Sequence, residues 1–444
     1  MGSYVPHTER DREEMLRKIG ISSLPELYSG VPEELKVREG LPVPDGLSEM
    51  EARKAVEKLA AENQVFPEVY RGAGAYRHYI PAIVDEVAEK ESFLTAYTPY
   101  QAEISQGVLQ SIFEYQTDIC MLTGMDVSNA GVYDGAEAAA EGVHMMRDRK
   151  RTKILVSASV HPDHLSVIRT YAFGSEAEVA VIPEKDYRTD LEALGSMLDD
   201  QTACVYLQQP NYYGSLEDVE RAAELIHEKG AKLVLGVNPI ASAILKTARE
   251  YGADAAVGEG QPLGMPLSFG GPFLGFMATT DKEYRRLPGR IVGETVDRDG
   301  KRGYVLTLQA REQHIRREKA SSNICSNEAL AALRAGIYCS AMGPEGLKKA
   351  ASQSLSNAHY LACLLNEKGF TPVSQGEFFH EFVTKTPVCP ERLEKYLEKN
   401  GILMGLPLKG DHEGEILWCA TEMNTKEEMD RLGGILENAK EVLS

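Results

Sequence analysis

The chain has 444 residues, of which 43% are hydrophobic and 26% are charged, a balance that is typical of a globular protein with a large core. Its 48 basic and 67 acidic residues give a formal charge of −19 at pH 7, and this net negative field argues against nucleic acid or an anionic membrane as a partner. No stretch has the length and apolarity of a membrane span, and the amino terminus lacks the pattern of an export signal, so we expect a cytoplasmic protein.

Residues 1–65 are predicted to form an N-terminal helical arm. Turn-rich links containing Pro, Gly and Ser separate short helical patterns, and Ser48 stands where the N-cap of a helix from 49 onward is expected. This composition suits a small leading region rather than a domain with its own core.

Residues 66–310 are predicted to form a large α/β domain. Helical patterns at 103–125 and from Asp134 onward precede six short apolar runs. Strands that are buried on both faces have continuous runs of Val, Ile, Leu and Ala, and the spacing of these runs leaves room for crossover helices. We therefore predict a mostly parallel sheet that is covered by helices. The apolar runs lie at 153–159, 178–183, 204–209, 232–237, 254–260 and 274–280.

Residues 311–444 are predicted to form connecting helices and a smaller C-terminal α+β domain. The pattern indicates a charged helix at 311–323 and a long helical stretch that starts at 329. Strands are predicted at 378–386, 401–408 and 415–421, and helices at 390–399 and 425–442.

A glycine-rich loop, GEGQPLGMPLSFGGP (258–272), follows one of the predicted strands and contains no lysine, histidine, cysteine or arginine. Its third glycine is Gly264, which does not match the dinucleotide fingerprint, and Gly72-x-Gly74 lacks a third glycine. No lysine of the Walker type follows any glycine run. Dinucleotide binding and nucleotide hydrolysis are therefore not expected.

Three other groups of residues could bind a ligand or a partner. His161 and His164 flank Pro162 at an expected helix start, and the seven cysteines form no C-x-x-C pair, so a capped helix is favoured over a metal site. The basic residues of 311–319 favour a solvated or interface helix. The third group could line a polar site or form a subunit contact, and its residues leave both options open. It comprises Tyr97, Thr98, Tyr100 and Gln101.

Several motifs together resemble the P-protein of the glycine cleavage system, glycine dehydrogenase (decarboxylating). They are TAYTPYQAEISQGVLQSIFEYQTDICMLTGMD (95–126), VYDGAEAAAEG (132–142), the loop region 254–276 and REQHIRREKASSNICSNEAL (311–330). In some bacteria this enzyme consists of two homologous chains, and the length and amino terminus of this sequence resemble subunit 1, the α chain. The resemblance implies an aminotransferase-like fold, fold type I of the pyridoxal-phosphate enzymes, with a seven-stranded, mostly parallel sheet and a smaller C-terminal α+β domain.

Enzymes of this fold hold pyridoxal phosphate with a lysine Schiff base, and an aspartate keeps the pyridine nitrogen protonated. Alignment on Pro266 and Gly270-Gly271-Pro272 places Gln261 at the lysine position, and the resemblance places Asn238 at the aspartate position. An amide cannot form an imine, and a neutral amide cannot favour the pyridinium by charge. Residues 247–281 contain no lysine, and Lys246 precedes them in a predicted helix.

We therefore expect Gln261 and Asn238 to be vestigial positions, with no catalytic residue, covalently bound cofactor or metal in this chain. The resemblance implies a homologous partner, subunit 2, that carries pyridoxal phosphate and decarboxylates glycine, and a lipoylated H-protein that accepts the aminomethyl group. The T- and L-proteins would be indirect partners, and an α2β2 complex is expected, with αβ left open. Contacts near the shared active site are expected from Tyr97, Thr98, Tyr100, Gln101, His314 and Arg316.

Two alternatives remain open at this point. The chain could be a purely structural assembly subunit whose inherited pocket is filled by its own side chains. It could also be a stand-alone pyridoxal-phosphate decarboxylase or aminotransferase, which would be yellow, with an imine absorption at about 410–430 nm.

Overall fold

The computed structural model describes residues 6–37, 40, 42–97, 99–320, 322–324, 328–374 and 376–443. The chain divides into two compact units, one up to residue 65 and the other from residue 66 onward. Within these described ranges, no helix combines the length and the apolarity that crossing a membrane requires.

The first unit contains the helices α1 (Glu9–Ile19) and α2 (Glu49–Ala60) and short 3₁₀ turns between them. Both helices begin with a capping box, in which the side chain of Thr8 or Ser48 accepts a bond from the backbone of the third helical residue. The predicted cap at Ser48 is therefore confirmed. Neither helix has a buried residue. Their start positions therefore follow from the capping boxes rather than from packing in a core.

The helices of the second unit begin where the sequence supplies a start signal. Asp134 accepts a bond from Glu137 N and caps the helix that follows it, and Pro162 occupies a first helical position, where its missing N–H costs nothing. The helices are α3 (Ala82–Ala88), α4 (Glu91–Leu94), α5 (Gln106–Thr123), α6 (Gly135–Met145), α7 (Pro162–Gly174), α8 (Leu191–Met197), α9 (Val219–Glu228), α10 (Gln313–Arg316), α11 (Ala329–Glu367), α12 (Pro390–Lys399) and α13 (Lys426–Leu443).

The strands of the second unit form one large sheet and several small ones. They are β1 (Glu68–Val69), β2 (Val127–Ser128), β3 (Lys153–Ser157), β4 (Val179–Ile182), β5 (Glu184–Lys185), β6 (Arg188–Thr189), β7 (Thr202–Gln209), β8 (Lys232–Val237), β9 (Ala255–Glu259), β10 (Gly275–Thr279), β11 (Ile291–Val296), β12 (Arg302–Thr307), β13 (Glu381–Lys385), β14 (Ile402–Leu403), β15 (Leu406–Pro407) and β16 (Glu415–Cys419).

The large sheet has seven strands in the order β2-β10-β9-β8-β7-β3-β4. Strands β4, β3, β7, β8 and β9 are parallel, and β10 is antiparallel to both of its neighbours. All six predicted apolar runs form strands of this sheet, so the prediction of a mostly parallel sheet is confirmed. The two-residue strand β2 was not predicted.

Both faces of the large sheet are buried. In β7, Val205 and Leu207 belong to the apolar core on one face, while Tyr206 belongs to the core on the other face. Because successive side chains of a strand point to opposite faces, a strand that is covered on both sides is expected to be apolar at most positions. The continuous apolar runs of the sequence follow from this arrangement.

In the region after the sheet, one element was not predicted and one prediction is wrong. Strands β11 and β12 pair as an antiparallel hairpin that was not predicted. The charged helix predicted at 311–323 is only the four-residue α10, which lies between 3₁₀ turns. Leu308 and Arg317 have positive φ angles of 53° and 55°, a backbone conformation that interrupts a right-handed helix.

Helix α11 contributes to two apolar cores. Ala332, Ala335 and Tyr338 pack in the core beneath the large sheet, whereas Leu361 and Leu365 pack in the core of the C-terminal strands and helices. The helix bends at Gly343, which has a φ of 61° and precedes Pro344. The bend forms here because proline removes a helical hydrogen bond.

Candidate functional site

A small cavity, here called the central cavity, lies at the carboxyl ends of β7, β8 and β9, and its volume is about 40 Å³. Gln208, Asn238 and Glu259 line it from these strand ends. In open α/β sheets, ligands bind outside the carboxyl ends of the parallel strands. The cavity therefore occupies the place where this kind of fold holds a ligand. Its other walls include Gly74, Tyr76, His161, His164, His380 and Glu381.

Gln261 lies two residues after Glu259, which its backbone N–H contacts, and it is 1% exposed. Its Oε1 accepts a hydrogen bond from Tyr76 N at 2.8 Å, and its Nε2 donates to Tyr76 O at 2.9 Å and to Met265 O at 2.7 Å. The amide therefore pairs with the backbone of a loop 185 residues away. A lysine has no acceptor atom and could not reproduce the bond from Tyr76 N.

The loop that contains Tyr76 is also bonded to the C-terminal strands. Glu381 Oε1 accepts from Ala73 N at 2.6 Å, and Glu381 Oε2 accepts from the Tyr76 hydroxyl at 2.7 Å. A Cβ at Gly72 would lie 2.4 Å from Glu381 Oε1, so only glycine allows this approach. Burial raises the pKa of Glu381 to about 7, although both hydrogen bonds oppose this shift.

Asn238 follows β8, and its side chain serves the local backbone. Its Oδ1 accepts from Ile240 N at 2.9 Å and from Ala241 N at 3.1 Å, which fixes the backbone that leads into the 3₁₀ turn Ala241–Ala243. The neutral amide of Asn238, bonded to the local backbone, cannot stabilise a protonated pyridine ring by charge.

Glu259, at the end of β9, binds three backbone N–H groups. Its Oε2 accepts from Gly135 N at 3.0 Å, and its Oε1 accepts from Gln261 N at 2.8 Å and from Leu274 N at 3.0 Å. Gly135 is the first residue of α6, so this carboxyl group lies at a helix N-terminus. Burial raises the pKa of Glu259 to about 7, and the three N–H donors oppose the shift.

Three histidines border the central cavity. His161 Nε2 lies 2.9 Å from Ala73 O, and His164 Nδ1 lies 2.7 Å from the Tyr206 hydroxyl. His380 is 1% exposed, and neither of its ring nitrogens has a hydrogen-bond partner among the described residues. Burial lowers the pKa of His164 to about 3 and lowers that of His380 well below its ordinary value. All described groups of His, Cys, Asp and Glu lack the clustering of three that a metal ion needs.

The predicted surface contacts lie elsewhere, and two of them meet at one ion pair. The guanidinium of Arg290 lies 4.9 Å from the centre of the Tyr100 ring and pairs with Glu312. His314 Nδ1 lies 3.3 Å from Glu312 Oε2. We call Tyr100, Arg290, Glu312 and His314 the surface cluster. It joins the two sequence segments from which the contacts were selected.

The remaining predicted contacts are more isolated. Tyr97 is 97% exposed, and Gln101 and Arg316 are also exposed. Thr98 lies outside the described residues. A role for any of these side chains at a shared site stays a prediction.

Sequence reasoning missed most of the residues around the central cavity. Tyr76, His380 and Glu381 were not selected, and His161 and His164 were assigned only to a helix start. The spacing Gly72-x-Gly74 was the available signal, because glycines in such loops often mark a close approach of another group. Lys246 is not in a helix as predicted, but in a loop, where its Nζ pairs with Glu220 at 2.6 Å.

The topology and the position of the cavity define an aminotransferase-like α/β protein of fold type I. Consistent with this, an aspartate aminotransferase from Thermus thermophilus superposes with a TM-score of 0.59 at 16% identity, over 85% of this chain and 100% of that one, a likeness that concerns the fold alone.

Closer comparisons identify the family. The family model described as "Glycine cleavage system P-protein" matches residues 2–436, and the chain belongs to this family. It is 50% identical to "Probable glycine dehydrogenase (decarboxylating) subunit 1" of Carboxydothermus hydrogenoformans, over 98% of this chain and 99% of that one. The crystal structure of an inhibitor-bound glycine decarboxylase (P-protein) of the glycine cleavage system superposes with a TM-score of 0.93 at 42% identity, over 98% and 100% of the two chains.

The residues of the central cavity do not fit pyridoxal phosphate. Among the described residues, no lysine lines the cavity, and both amide atoms of Gln261 are bonded to the backbone. Asn238, at the position where a carboxylate is expected, is a neutral amide bonded to the local backbone, and Glu259 accepts a bond from the first residue of α6. The described lining of the central cavity therefore offers neither an amine that could anchor this cofactor nor, at Asn238, a charge that would keep its pyridine nitrogen protonated.

Proposed function

We propose that this chain is the subunit of a glycine cleavage P-protein that does not anchor pyridoxal phosphate. The observation that carries the proposal is Gln261, whose amide is buried and bonded at the position of the expected lysine. Relatives named subunit 1 imply a second subunit. That homologous partner, subunit 2, would carry the cofactor and decarboxylate glycine, and the aminomethyl group would pass to the lipoyl arm of H-protein.

In this proposal the chain contributes surface rather than chemistry. The surface cluster presents Tyr100 and His314 through the pair of Arg290 and Glu312. Tyr97, Gln101 and Arg316 would extend this surface toward the partner or the lipoyl arm. We propose an α2β2 complex that acts in the cytoplasm, with the T- and L-proteins acting on the same H-protein.

The test is co-expression with the homologous partner chain, followed by measurement of CO2 exchange that depends on glycine and H-protein. We expect exchange from the pair and none from this chain alone. Borohydride reduction of each chain should trap a phosphopyridoxyl group on the partner only. Trapping on a lysine of this chain when it is purified alone would contradict the proposal and would favour a stand-alone pyridoxal-phosphate enzyme.

A purely structural assembly subunit is the second candidate, and the internal bonding of the central cavity favours it. Glu259, Gln261 and Glu381 are all bonded within the chain, as expected for a pocket that has become part of the core. In that case the partner subunit, correctly assembled without this chain, would be as active as the pair. A requirement for this chain at saturating partner concentration would exclude the second candidate.

A further inference from the structure

At the N-terminus of α6, a backbone N–H group donates a hydrogen bond to the side chain of Glu259. Gly135 N donates to Glu259 Oε2 at 3.0 Å, and the next cap bond, from Glu137 N, goes to Asp134 Oδ1 at 2.7 Å. A Cβ at Gly135 would lie 2.9 Å from the Cβ of Glu259. The absence of a side chain at Gly135 is therefore what lets Glu259 approach the helix.

A helix N-terminus next to a glycine often binds an anion. Backbone N–H groups that converge at a helix N-terminus next to a glycine are a preferred site for phosphate, because the N–H groups donate hydrogen bonds and the helix dipole favours negative charge. Here the two oxygens of Glu259 accept from Gly135 N, at the first residue of α6, and from Gln261 N and Leu274 N of the segment between β9 and β10. Glu259 therefore already uses one helix N-terminal donor and two neighbouring backbone donors.

We propose that Glu259 is a built-in substitute for a bound phosphate and that it closes the central cavity to phosphorylated ligands, so that restoring the lysine alone would not restore cofactor binding. The proposal deepens the proposed function and rests on it for the identity of the excluded ligand, pyridoxal phosphate. It adds phosphate exclusion by Glu259 to the two features already described, the missing amine at Gln261 and the neutral amide at Asn238.

Electrostatics and space act in the same direction. An incoming phosphate would have to displace the Glu259 carboxyl and would then lie beside Asp134, whose charge also disfavours a second anion. The cavity itself, with a volume of about 40 Å³, is bordered by the buried His380, whose ring nitrogens lack described partners. These ring nitrogens are polar groups that a water molecule or a small polar ligand in the cavity can bond.

The first experiment uses the full-length chain and inorganic phosphate. It tests phosphate binding directly, without introducing a lysine at position 261. Glu259→Ser removes the carboxyl, whereas Glu318→Ser removes an exposed glutamate and serves as the control. We expect calorimetric titration to give phosphate affinity at least tenfold higher for Glu259→Ser than for the natural chain and for Glu318→Ser. Equal phosphate affinity in all three proteins would overturn the proposal.

The second experiment compares pyridoxal phosphate with pyridoxal, which lacks the phosphate. The variants are Gln261→Lys and the double variant Gln261→Lys/Glu259→Ser, and the readout is imine absorbance confirmed by the mass of the borohydride-reduced adduct. We expect the affinity ratio of the two aldehydes to increase at least tenfold in the double variant. Because the ratio cancels any general opening or loosening of the pocket, an unchanged ratio would contradict phosphate exclusion.

The two hypotheses fail in different ways. An adduct on a lysine of the natural chain, for example Lys246, would contradict the proposed function and leave the role of Glu259 intact. Failure of Glu259→Ser to gain phosphate, with no adduct on the natural chain, would contradict only the role of Glu259. If the double variant does not fold, the titration of Glu259→Ser with phosphate still decides the question.

Discussion

The central cavity and the surface cluster differ in where their polar groups find partners. In the cavity, Gln261 and Glu259 are bonded to backbone groups within the chain. In the surface cluster, a paired Arg290 and Glu312 hold His314, which is exposed. Substitutions of the bonded groups, in the cavity and at the Arg290–Glu312 pair, should lower the stability of the chain itself, whereas substitutions of exposed side chains should act mainly when a partner is present.

The largest effect is expected from Gln261→Leu. The substitution keeps the approximate volume but leaves Tyr76 N, Tyr76 O and Met265 O without the bonds that they make to the amide. Since each buried unpaired group costs about 1–3 kcal/mol, we expect the free energy of unfolding to fall by about 3–5 kcal/mol. Urea denaturation measures this change. The control is Gln101→Leu on the surface, for which we expect a change within about 0.5 kcal/mol, and equal losses would remove the contrast.

The second effect concerns pH. Burial raises the pKa of Glu381 from its ordinary value of 4.5 to about 7. The folded state therefore favours the neutral carboxyl, and this contribution to stability is complete below pH 4.5 and is lost as the pH rises through about 7. A shift of this size corresponds to at most about 3 kcal/mol.

Glu381→Gln should remove this part of the pH dependence. The neutral amide can still accept from Ala73 N, and its NH2 group can donate to the hydroxyl of Tyr76. Relative to the natural chain, the variant should therefore be more stable at pH 8 than at pH 5. The groups that face Glu381 include Tyr76 and Cys419. Unfolding curves at the two pH values with equal differences between variant and natural chain would contradict the assignment.

A smaller effect is expected from Arg290→Met in the surface cluster. The substitution removes the partner of the buried Glu312 and the cation above the Tyr100 ring, and we expect a loss of about 2 kcal/mol in the free energy of unfolding. Arg302→Met is the control, because Arg302 is exposed and lies 5.9 Å from the Tyr304 ring. A loss for Arg302→Met as large as that for Arg290→Met would show that the ion pair has no special role.

The smallest effect on stability is expected from Tyr97→Ala. Because the side chain is 97% exposed, the free energy of unfolding should change by less than about 0.5 kcal/mol. If Tyr97 borders the shared site, the mixed complex should need about tenfold more H-protein for half-maximal CO2 exchange, a difference of about 1.4 kcal/mol. Phe173→Ala, at a side chain that is 88% exposed, is the control. Identical kinetics for both variants and the natural complex would remove Tyr97 from the surface contacts.

The large sheet could be predicted because burial on both faces leaves a local record in each strand. The runs that became β3, β7 and β8 are apolar at nearly every position, and Asp134 and Ser48 mark helix starts by their own chemistry. The hairpin β11–β12 was missed because its strands are only partly buried and carry charged residues. Its turn signal was present at Asp297, whose Oδ1 accepts from Asp299 N and Lys301 N.

The interior of the central cavity could be predicted only in part. Gln261 and Asn238 were located by resemblance to a family motif, and the chemistry of an amide indicated what they could not do. The bond between Gln261 and Tyr76 spans 185 residues, and Glu381 reaches Ala73 across 308 residues. No local pattern encodes such pairs, because they depend on how the C-terminal strands pack on the large sheet.

The bent helix α11 has a consequence for how the molecule loses its structure. Its first part is packed under the large sheet and its second part among the C-terminal elements, so melting either region releases a segment on which the other depends. We therefore expect heat to disrupt residues 66–443 in a single cooperative step, with equal calorimetric and van't Hoff enthalpies. Helix α11 thus couples the stability of the large sheet to the stability of the C-terminal strands and helices.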